Sequence, residues 1–517
     1  MKYKRFFIMM FLCVFLGMAA SLVGPFLLSL WSNDEMGFNG LRLLILFLAL
    51  MVSMCVEIMV VVVREKYAKH YNIENFRKFL QRFLAMDYDS IIEKGPANLI
   101  QRVQGAVNDL YTFMTGSFIS IWSNSLALII ILVVVTGQNW MAGVIMFAMA
   151  PTNYFGYKLL NKELMRRSKK LQENSAAGYQ QVLSYVEQTD YLKQCGDYDN
   201  MFRQMAPAFE MLYGSMADVN IFAQSVSLAL KSLNRIAQTL SMAVIVWQYD
   251  GAVGNMVSLV LVTVLFPLYF SYLSSVTNAN LSKQGLKVSM DFVAEMDSQA
   301  EEDGEEELEE IRSVKFAVRE LAIGERVLAR NIVGDFEKGD VVWIKGASGT
   351  GKSTLVKLLA KFRTCDKIEI NGKDIRRFTN ASLRRKVDYL SQNIPIVTGS
   401  VRDNLSFNQV WGKKNEECLA KQPFFAGFLQ NHGYDSRIEE NGANLSGGEK
   451  QKIALARIFF DEVDMLILDE FTSNIDKDTA EEILDTVVKN GKEKILFIIS
   501  HDELPEKYAT KTLCLNS

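Results

Sequence analysis

Long apolar runs are confined to the first 280 of the 517 residues, and this asymmetry predicts a membrane-embedded half followed by a water-soluble half. Six stretches approach or exceed the roughly 20 apolar residues that a membrane-spanning helix needs. They are Phe6–Trp31, Leu41–Val63, Ser117–Val135, Trp140–Leu160, Asn220–Trp247 and Met256–Val276. The first stretch is too long for the apolar core of a signal peptide and is not followed by a small-residue cleavage site. We therefore predict six transmembrane helices.

The charges of the loops predict the orientation of these helices. Lys and Arg cluster at the start of the chain and in the loops after the second and fourth spans, whereas the loops around Asp34, Gln138 and Asp250 carry almost none. By the positive-inside rule, both termini are cytoplasmic. The two basic loops, Arg64–Gly116 and Asn161–Ala217, have apolar residues at three- and four-residue spacing, which predicts helices.

Away from their ends, the predicted spans contain three charged residues: Glu57 in the second, and Lys231 and Arg235 in the fifth. Charge inside a membrane is costly and usually faces a partner or a wet cavity. Lys231 and Arg235 are four residues apart and share one helix face. Three interpretations stay open: a cargo cavity that accepts negative charge, a structural pair with Glu57, or charges that lie at the level of water because the helix extends beyond the bilayer.

An acidic block at 298–310 separates the two halves. Like charges repel one another, so the block is predicted to be an extended, solvated connector. The predicted domains are 1–297 (transmembrane), 298–310 (linker) and 311–517 (soluble). The net charge of −3 and the lack of a basic, aromatic-rich patch give no indication of a nucleic-acid partner, and six scattered cysteines favour reduced thiols over a disulfide frame or zinc site.

The soluble half contains the sequence Gly346-Ala-Ser-Gly-Thr-Gly-Lys-Ser-Thr354, which matches the P-loop pattern G-x-x-x-x-G-K-[ST]. Glycines let the backbone curl so that successive N–H groups point at a phosphate. Lys352 would reach the β- and γ-phosphates of a nucleotide, and the Ser353 hydroxyl would bind Mg²⁺. A strand at Asp340–Lys345 and a helix at Ser353–Lys361 are predicted on either side, as the motif requires. The phosphate-binding residues are then Gly346, Ala347, Ser348, Gly349, Thr350, Gly351, Lys352, Ser353 and Thr354.

Two later segments extend this chemistry. Val463–Glu470 is an apolar strand that ends in two carboxylates, and it would deliver Asp469 to Mg²⁺ and Glu470 to the attacking water. Leu445-Ser-Gly-Gly-Glu449 opens a helix over Lys450–Arg457 and forms a second phosphate-binding N-terminus. A second such device in one domain suggests a nucleotide shared between two copies of the chain.

The P-loop, Gln392, the Leu445–Glu449 segment, the Asp469–Glu470 pair and Ser500-His501-Asp502 together resemble the nucleotide-binding domain of an ABC transporter. With six spans ahead of it, the chain resembles a type I ABC exporter half-transporter. The resemblance implies an N-terminal all-α six-helix transmembrane domain of ABC exporter type and a C-terminal α/β P-loop NTPase domain.

The resemblance also implies roles for residues. Gly346–Thr354 would bind ATP, and the catalytic residues would be Glu470, His501 and Gln392. Mg²⁺ would be held by Ser353, Gln392 and Asp469. The signature residues that cap the ATP of an opposite subunit would be Leu445, Ser446, Gly447, Gly448 and Glu449, and a loop between the two sites would contain Ser473, Asn474 and Asp476.

Two departures from the family pattern stand out. Family members usually carry an adenine-stacking aromatic residue about 24 positions before the P-loop, but Glu320–Gly324 contains none. Leu321 or Ile323 would offer only apolar contact, so weaker ATP binding is expected, and Leu321→Tyr is predicted to tighten it. The signature ends in Glu449, where glutamine is commoner.

The functional hypothesis is ATP-driven efflux of an amphipathic cargo (a small peptide, a lipid or a drug) across the bacterial cytoplasmic membrane by alternating access. A second subunit is required; a homodimer would have two competent ATP sites, and a heterodimer with a similar chain stays open. The alternative from another class is a membrane ATP-dependent sensor or immunity protein that moves no cargo. An importer is disfavoured because nothing in the chain suggests a dock for a binding protein.

Overall fold

The computed structural model describes residues 8–9, 12, 16, 40–138, 140–186, 188–194, 198–247, 253–324, 326–363, 367–407, 411–458, 462–471, 475 and 477–515. The predicted span Phe6–Trp31, apart from four isolated helical positions, lies outside the described residues. Ser473, Asn474 and Asp476 also lie outside them. The chain forms two compact units: 1–86 with 90–300, and 87–89 with 301–517.

Long helices make up the first unit, as the apolar runs and the three- and four-residue spacing predict. In chain order the helices before residue 300 are α1 (Gly40–Leu84), α2 (Tyr88–Lys94), α3 (Pro96–Thr112), α4 (Phe118–Gln138), α5 (Trp140–Val186), α6 (Thr189–Gln194), α7 (Asp199–Trp247) and α8 (Val253–Ser298). A π-helical turn at Phe113–Ser117 joins α3 to α4. Five of the six predicted spans therefore lie within described helices, and both basic loops are helical as predicted.

Large apolar side chains are exposed on α1 and α4, such as Phe47 and Val133. Among the described residues, two helical stretches are long and apolar enough to cross a membrane, Gly40–Leu84 and Pro96–Gly137. Inside the unit, α5 packs along α7, and α4 packs along α8. Asn153 on α5 and Asn234 on α7 are both buried and exchange side-chain hydrogen bonds of 2.8 and 3.3 Å. Each amide thereby satisfies the other in an apolar surrounding.

The second unit alternates strands and helices. Its strands are β1 (Ser313–Ile323), β2 (Arg326–Glu337), β3 (Val341–Gly346), β4 (Ile368–Ile370), β5 (Lys373–Asp374), β6 (Val387–Leu390), β7 (Gly399–Ser400), β8 (Arg437–Ile438), β9 (Met465–Asp469), β10 (Ile495–Ile499) and β11 (Lys511–Leu515). Its helices are α9 (Lys352–Leu359), α10 (Asn380–Arg384), α11 (Val401–Leu405), α12 (Lys413–Ala420), α13 (Pro423–Asn431), α14 (Gly447–Ile458) and α15 (Lys477–Asn490).

A five-stranded parallel sheet with the order β11-β3-β10-β9-β6 forms the centre of this unit. Every residue of β9 and β10 is buried, because helices and a second sheet cover both faces. The second sheet is antiparallel with the order β2-β1-β4-β5. Since neighbouring strands of the parallel sheet run the same way, the residues that follow β3, β6, β9 and β10 all emerge at one edge.

The acidic segment Glu301–Glu310 is not the free, solvated connector that its charge predicts. It lies against the second unit, where the backbone N–H groups of Glu305 and Glu306 both donate to the Arg377 carbonyl at 2.9 Å. Leu308 and Ile311 are buried in the domain core. Basic residues that are remote in sequence pair with four of the carboxylates; these are Arg384, Lys373, Arg385 and Lys338. Self-repulsion is therefore outweighed by contacts that the isolated segment does not reveal.

Candidate ATP and catalytic site

The P-loop follows β3 and leads into α9, as predicted. Gly349 and Gly351 adopt positive φ angles of 83° and 89°, a region that suits glycine. Lys352 is buried and donates from Nζ to the carbonyls of Gly346 and Ala347 at 2.9 and 3.0 Å. The ammonium group thus lies inside the curl of the loop, where it can exchange these carbonyl partners for phosphate oxygens. Ser348 and Gly349, at the tip of the loop, are exposed.

Asp469 ends β9 in a buried position beside the P-loop. Its Oδ2 accepts a hydrogen bond from the Tyr389 hydroxyl at 3.0 Å, and its carboxylate also accepts one from Ser353. Burial raises the pKa of the Asp469 carboxyl above its ordinary value. Its Oδ1 is buried with no hydrogen-bond partner among the described residues. An unsatisfied carboxylate oxygen beside a serine hydroxyl fits a site for Mg²⁺, which prefers oxygen ligands.

Glu470 is the centre of the predicted catalytic set. Its Oε2 accepts from Gln392 Nε2 at 2.6 Å, and its Oε1 lies 3.0 Å from His501 Nε2. Gln392 follows β6, Glu470 follows β9 and His501 follows β10, so the shared edge of the parallel sheet brings the three together. Glu470 has a positive φ of 51°, and its N–H donates to the Ile499 carbonyl at 2.9 Å. A non-glycine residue held in this region indicates a side chain whose direction is fixed at some cost in strain.

The signature segment lies at the start of α14. Leu445 is buried in the core, whereas Ser446 and Gly447 are exposed. The Ser446 N–H and hydroxyl both donate to Glu449 Oε2 at 2.8 Å. The other oxygen of Glu449 lies 3.0 Å from His432 Nε2. Within the described residues, these side chains make no hydrogen bond to the P-loop.

Three partners of these motifs were missed by sequence reasoning. Tyr389 binds Asp469, and His432 binds Glu449. Arg457, on α14, donates to the carbonyls of Asn404 and Pro395, both at 2.6 Å. Burial lowers the pKa of the Arg457 guanidinium to about 10. Only the position of Tyr389, on β6 and three residues before Gln392, could have been a signal.

The structure contradicts the expectation that an aromatic ring at position 321 would stack on adenine. Its side chain is buried in the core, and a Cβ placed on Gly351 would lie 2.7 Å from Leu321 Cδ2. Leu321 therefore packs beneath the P-loop and cannot present a ring to a nucleotide. Ile323 is 47% exposed and is the available position.

The three charged residues singled out in the predicted spans, Glu57, Lys231 and Arg235, are all exposed. Glu57, Lys231 and Arg235 form no ion pair within the described residues, so the structure does not bring Glu57 to the other two. In the first unit, a cavity of about 560 Å³ lies between α3, α5 and α8. Its walls carry both signs of charge, as in Lys169 and Asp291, next to apolar side chains such as Phe292.

The comparisons with known proteins agree with these observations. Residues 329–473 match the family described as ABC transporter. The chain is 26% identical over 455 residues to the ATP-dependent lipid A-core flippase of Pectobacterium atrosepticum, with 82% of this chain and 75% of that protein covered. The flippase of the same name from Escherichia coli K12 is 26% identical over 453 residues, with the same coverage.

A solved structure extends the likeness to the whole chain. The structure of a bacterial Atm1-family ABC exporter with ATP bound superposes with a TM-score of 0.84 at 19% sequence identity, covering 99% of this chain and 93% of that one. The two-unit fold and the P-loop site are therefore those of a multi-pass membrane protein that binds ATP and couples its hydrolysis to transport. Residues 329–473 thus match the ABC transporter family, and the chain as a whole has the fold of an ABC exporter half-transporter with one nucleotide-binding domain.

Proposed function

We propose that two copies of this chain close around two ATP molecules and move a lipid-like amphiphile out of the cytoplasmic leaflet of a bacterial cytoplasmic membrane. The observation that supports this most is the division of the ATP site. The P-loop, Gln392, Asp469, Glu470 and His501 share one edge of the sheet. The signature residues Ser446 and Gly447 are instead exposed, and Ser446 makes no side-chain hydrogen bond to that P-loop among the described residues. A second copy can supply the missing side of the site.

Within one site, Gly346–Thr354 would hold the phosphates of ATP, and Lys352 would exchange its two carbonyl partners for phosphate oxygens. Glu470 would accept a hydrogen bond from the attacking water and orient it toward the γ-phosphate. Gln392 and His501 each occupy one carboxylate oxygen of Glu470, which leaves further acceptor positions on both oxygens for that water. His501 is half exposed and can turn from Glu470 to the γ-phosphate.

Mg²⁺ fits the site because Asp469 presents an unsatisfied oxygen next to Ser353. When bound, it would neutralise charge on the β- and γ-phosphate oxygens. Ser353, Asp469 and Gln392 would hold it. Burial and the charge of Asp469 raise the pKa of the Tyr389 hydroxyl, which therefore stays protonated and keeps donating to Asp469 Oδ2. The carboxylate is thereby held in one orientation.

The cargo proposal is supported by the relatives, which are named for a lipid, and by charge inside the predicted spans. Lys231 and Arg235 lie on the outer face of α7 with no ionic partner in the described residues. A pair of membrane-level cations is suited to an anionic headgroup on an apolar molecule. We further propose that both termini are cytoplasmic, which places the ATP site on the side of the membrane where ATP is found.

The hydrolysis step is tested with Glu470→Gln in the full chain. The amide keeps the shape of the side chain but is a poorer acceptor, so we expect ATP turnover to be lost while ATP binding and closure of two copies persist. Closure is measured by cross-linking or by distances between spin labels on two copies. Robust hydrolysis by this variant would refute the role of Glu470.

The cargo is tested by comparing cells that carry the wild-type chain with cells that carry Glu470→Gln. We expect a lipid to be depleted from the outer leaflet with the variant, as measured by labelling with a reagent that does not cross the membrane. Loss of a peptide from the medium, with lipids unchanged, would replace the lipid by a peptide cargo. No change in either would favour a drug cargo or the sensor hypothesis.

A further inference from the structure

The signature segment is held by a network that extends beyond the segment itself. Glu449 Oε2 accepts from both the N–H and the hydroxyl of Ser446, and the Glu449 N–H donates back to the Ser446 hydroxyl oxygen at 3.3 Å. This reciprocal arrangement is a capping box, which satisfies N–H groups at the start of a helix. The direction of the Ser446 side chain therefore depends on where the Glu449 carboxylate is placed.

His432 places that carboxylate. Its Nε2 lies 3.0 Å from Glu449 Oε1, and both side chains are about one quarter exposed. The imidazole stacks on Phe428 with ring centroids 5.0 Å apart, and Phe428, on α13, is buried in the core. Packing on Phe428 thus fixes the orientation of the imidazole. Its contact with Glu449 connects the end of α13 to the start of α14.

The departure from glutamine at position 449 matches this partner. A carboxylate is only an acceptor, and here it meets two donors, the Ser446 N–H and hydroxyl, and the ring nitrogen His432 Nε2, which donates in the tautomer that carries hydrogen there. Burial raises the pKa of the Glu449 carboxyl, but the hydrogen bonds from Ser446 and His432 outweigh it and keep this pKa below its ordinary value. A glutamine could accept from Ser446 and still pair with His432 only if His432 took the tautomer in which Nε2 accepts from the amide NH₂.

We propose that His432 is a positioning residue for the transport ATPase: through Glu449 it holds Ser446 in the geometry that receives the ATP of a second copy. The proposal rests on the proposed function, in which Ser446–Gly448 caps ATP bound by the partner. The proposal distinguishes the binding of ATP to one copy from the closure of two copies around it. His432 makes no hydrogen bond to the P-loop in the described residues, so it should leave the first binding of ATP unchanged and act on closure of the two copies.

The test uses the full chain in lipid nanodiscs in the Glu470→Gln background, with ATP and Mg²⁺. Two quantities are measured: equilibrium binding of a fluorescent ATP analogue at low nucleotide, and the ATP concentration that gives half-maximal closure. We expect His432→Ala to raise the second about tenfold, which corresponds to about 1.4 kcal/mol, while the first changes less than twofold. His432→Gln, whose amide N–H can replace Nε2–H, should restore closure to within about threefold. His70→Ala, at an exposed histidine of α1, is the matched control and should change neither.

Three outcomes would overturn the inference. If His432→Ala closes at the parent's ATP concentration, His432 does not position Ser446. If His432→Gln is as defective as His432→Ala, and both lose nucleotide binding and thermal stability in parallel, the residue only supports the fold. If the Glu470→Gln parent itself does not close with ATP, the two-copy site fails and the inference fails with it.

Discussion

The acidic segment Glu301–Glu310 offers a sharp test of which forces hold it to the nucleotide-binding domain. Its ion pairs are mostly exposed; Glu307 and Arg385, for example, retain 66% and 69% of their side-chain surface. Exposed pairs contribute little, because water screens them and long side chains must be ordered. Leu308, in contrast, is 6% exposed within the core cluster. We therefore predict that Leu308, and not the charges, sets the stability of the docked segment.

The magnitude follows from the burial of the leucine. Truncation of a buried leucine to alanine costs about 2–5 kcal/mol. If the segment opens and closes faster than a protease cuts it, cleavage follows the open population. The lower limit of about 2 kcal/mol then predicts roughly 30-fold faster cleavage of Leu308→Ala, at about 1.4 kcal/mol per factor of ten.

The assay is limited digestion of the full chain with a glutamate-specific protease, because the segment is rich in cleavage sites. Arg385→Gln is the matched control, since it removes an ion pair with Glu307 but leaves every glutamate in place. We expect this control to be cut at nearly the wild-type rate, and added salt to have a similarly small effect once protease activity on a free peptide is corrected for. Equal opening by Arg385→Gln and Leu308→Ala would show that charge holds the segment.

Two further predictions concern the buried Leu321 with its exposed neighbour Ile323, and the buried pair Asn153 and Asn234. Leu321→Tyr should destabilise the domain by about 1–3 kcal/mol in chemical unfolding, because the ring would overpack the space beneath Gly351. Ile323→Tyr should tighten ATP binding by about 1–3 kcal/mol if its ring stacks on adenine. An unchanged dissociation constant for Ile323→Tyr would contradict the second prediction. Asn153→Leu should lower the thermal stability of the full chain by leaving the Asn234 amide unpaired, at a cost of about 1–3 kcal/mol, and the double variant with Asn234→Leu should recover part of the loss; additive losses would show that the two amides are not coupled.

The catalytic centre could be predicted from sequence because each of its parts is local. The P-loop, Gln392, Glu470 and His501 each follow a short strand, and parallel strands deliver the residues after them to one edge. Once the strands are recognised, the meeting of these residues requires no knowledge of side-chain packing. The strand order β6-β9-β10 places Glu470 between Gln392 and His501, although the contacts of its two carboxylate oxygens are seen only in the structure.

The supporting contacts could not be predicted, because they depend on register between distant segments. Tyr389 hydrogen-bonds to Asp469 across 80 positions. His432 follows α13 and stacks on Phe428, and no sequence pattern indicates that it contacts Glu449. The prediction that the acidic segment is a solvated connector was wrong for the same reason. Its charge pattern was judged in isolation, whereas its basic partners lie between Lys338 and Arg385. Local rules thus succeed where chemistry sits at strand ends and fail where a side chain's partner belongs to another element.

Asp469 carries the last prediction, in which function and stability oppose each other. Burial raises the pKa of its carboxyl above the ordinary value, although hydrogen bonds from Ser353 and Tyr389 act in the opposite direction. A carboxyl with a raised pKa binds more protons in the folded than in the unfolded state, so its ionisation lowers stability as pH rises through this interval. Without nucleotide or metal, Asp469→Asn should therefore melt at a higher temperature than wild type at pH 7.5.

Each 1 kcal/mol gained would raise the melting temperature by about 2–4 °C for a domain of this size. The advantage of Asp469→Asn should shrink as pH falls, because the wild-type carboxyl then regains its proton. The order should reverse with ATP and Mg²⁺, since only the wild-type carboxylate can bind the cation and gain stability from it. A lower melting temperature for Asp469→Asn at pH 7.5 without ligand would mean that the site is not held in a strained, ion-ready state. If Asp469→Asn instead melts higher, the wild-type carboxylate destabilises the domain in the absence of ligand, and its burial is best explained by the cation that it would bind.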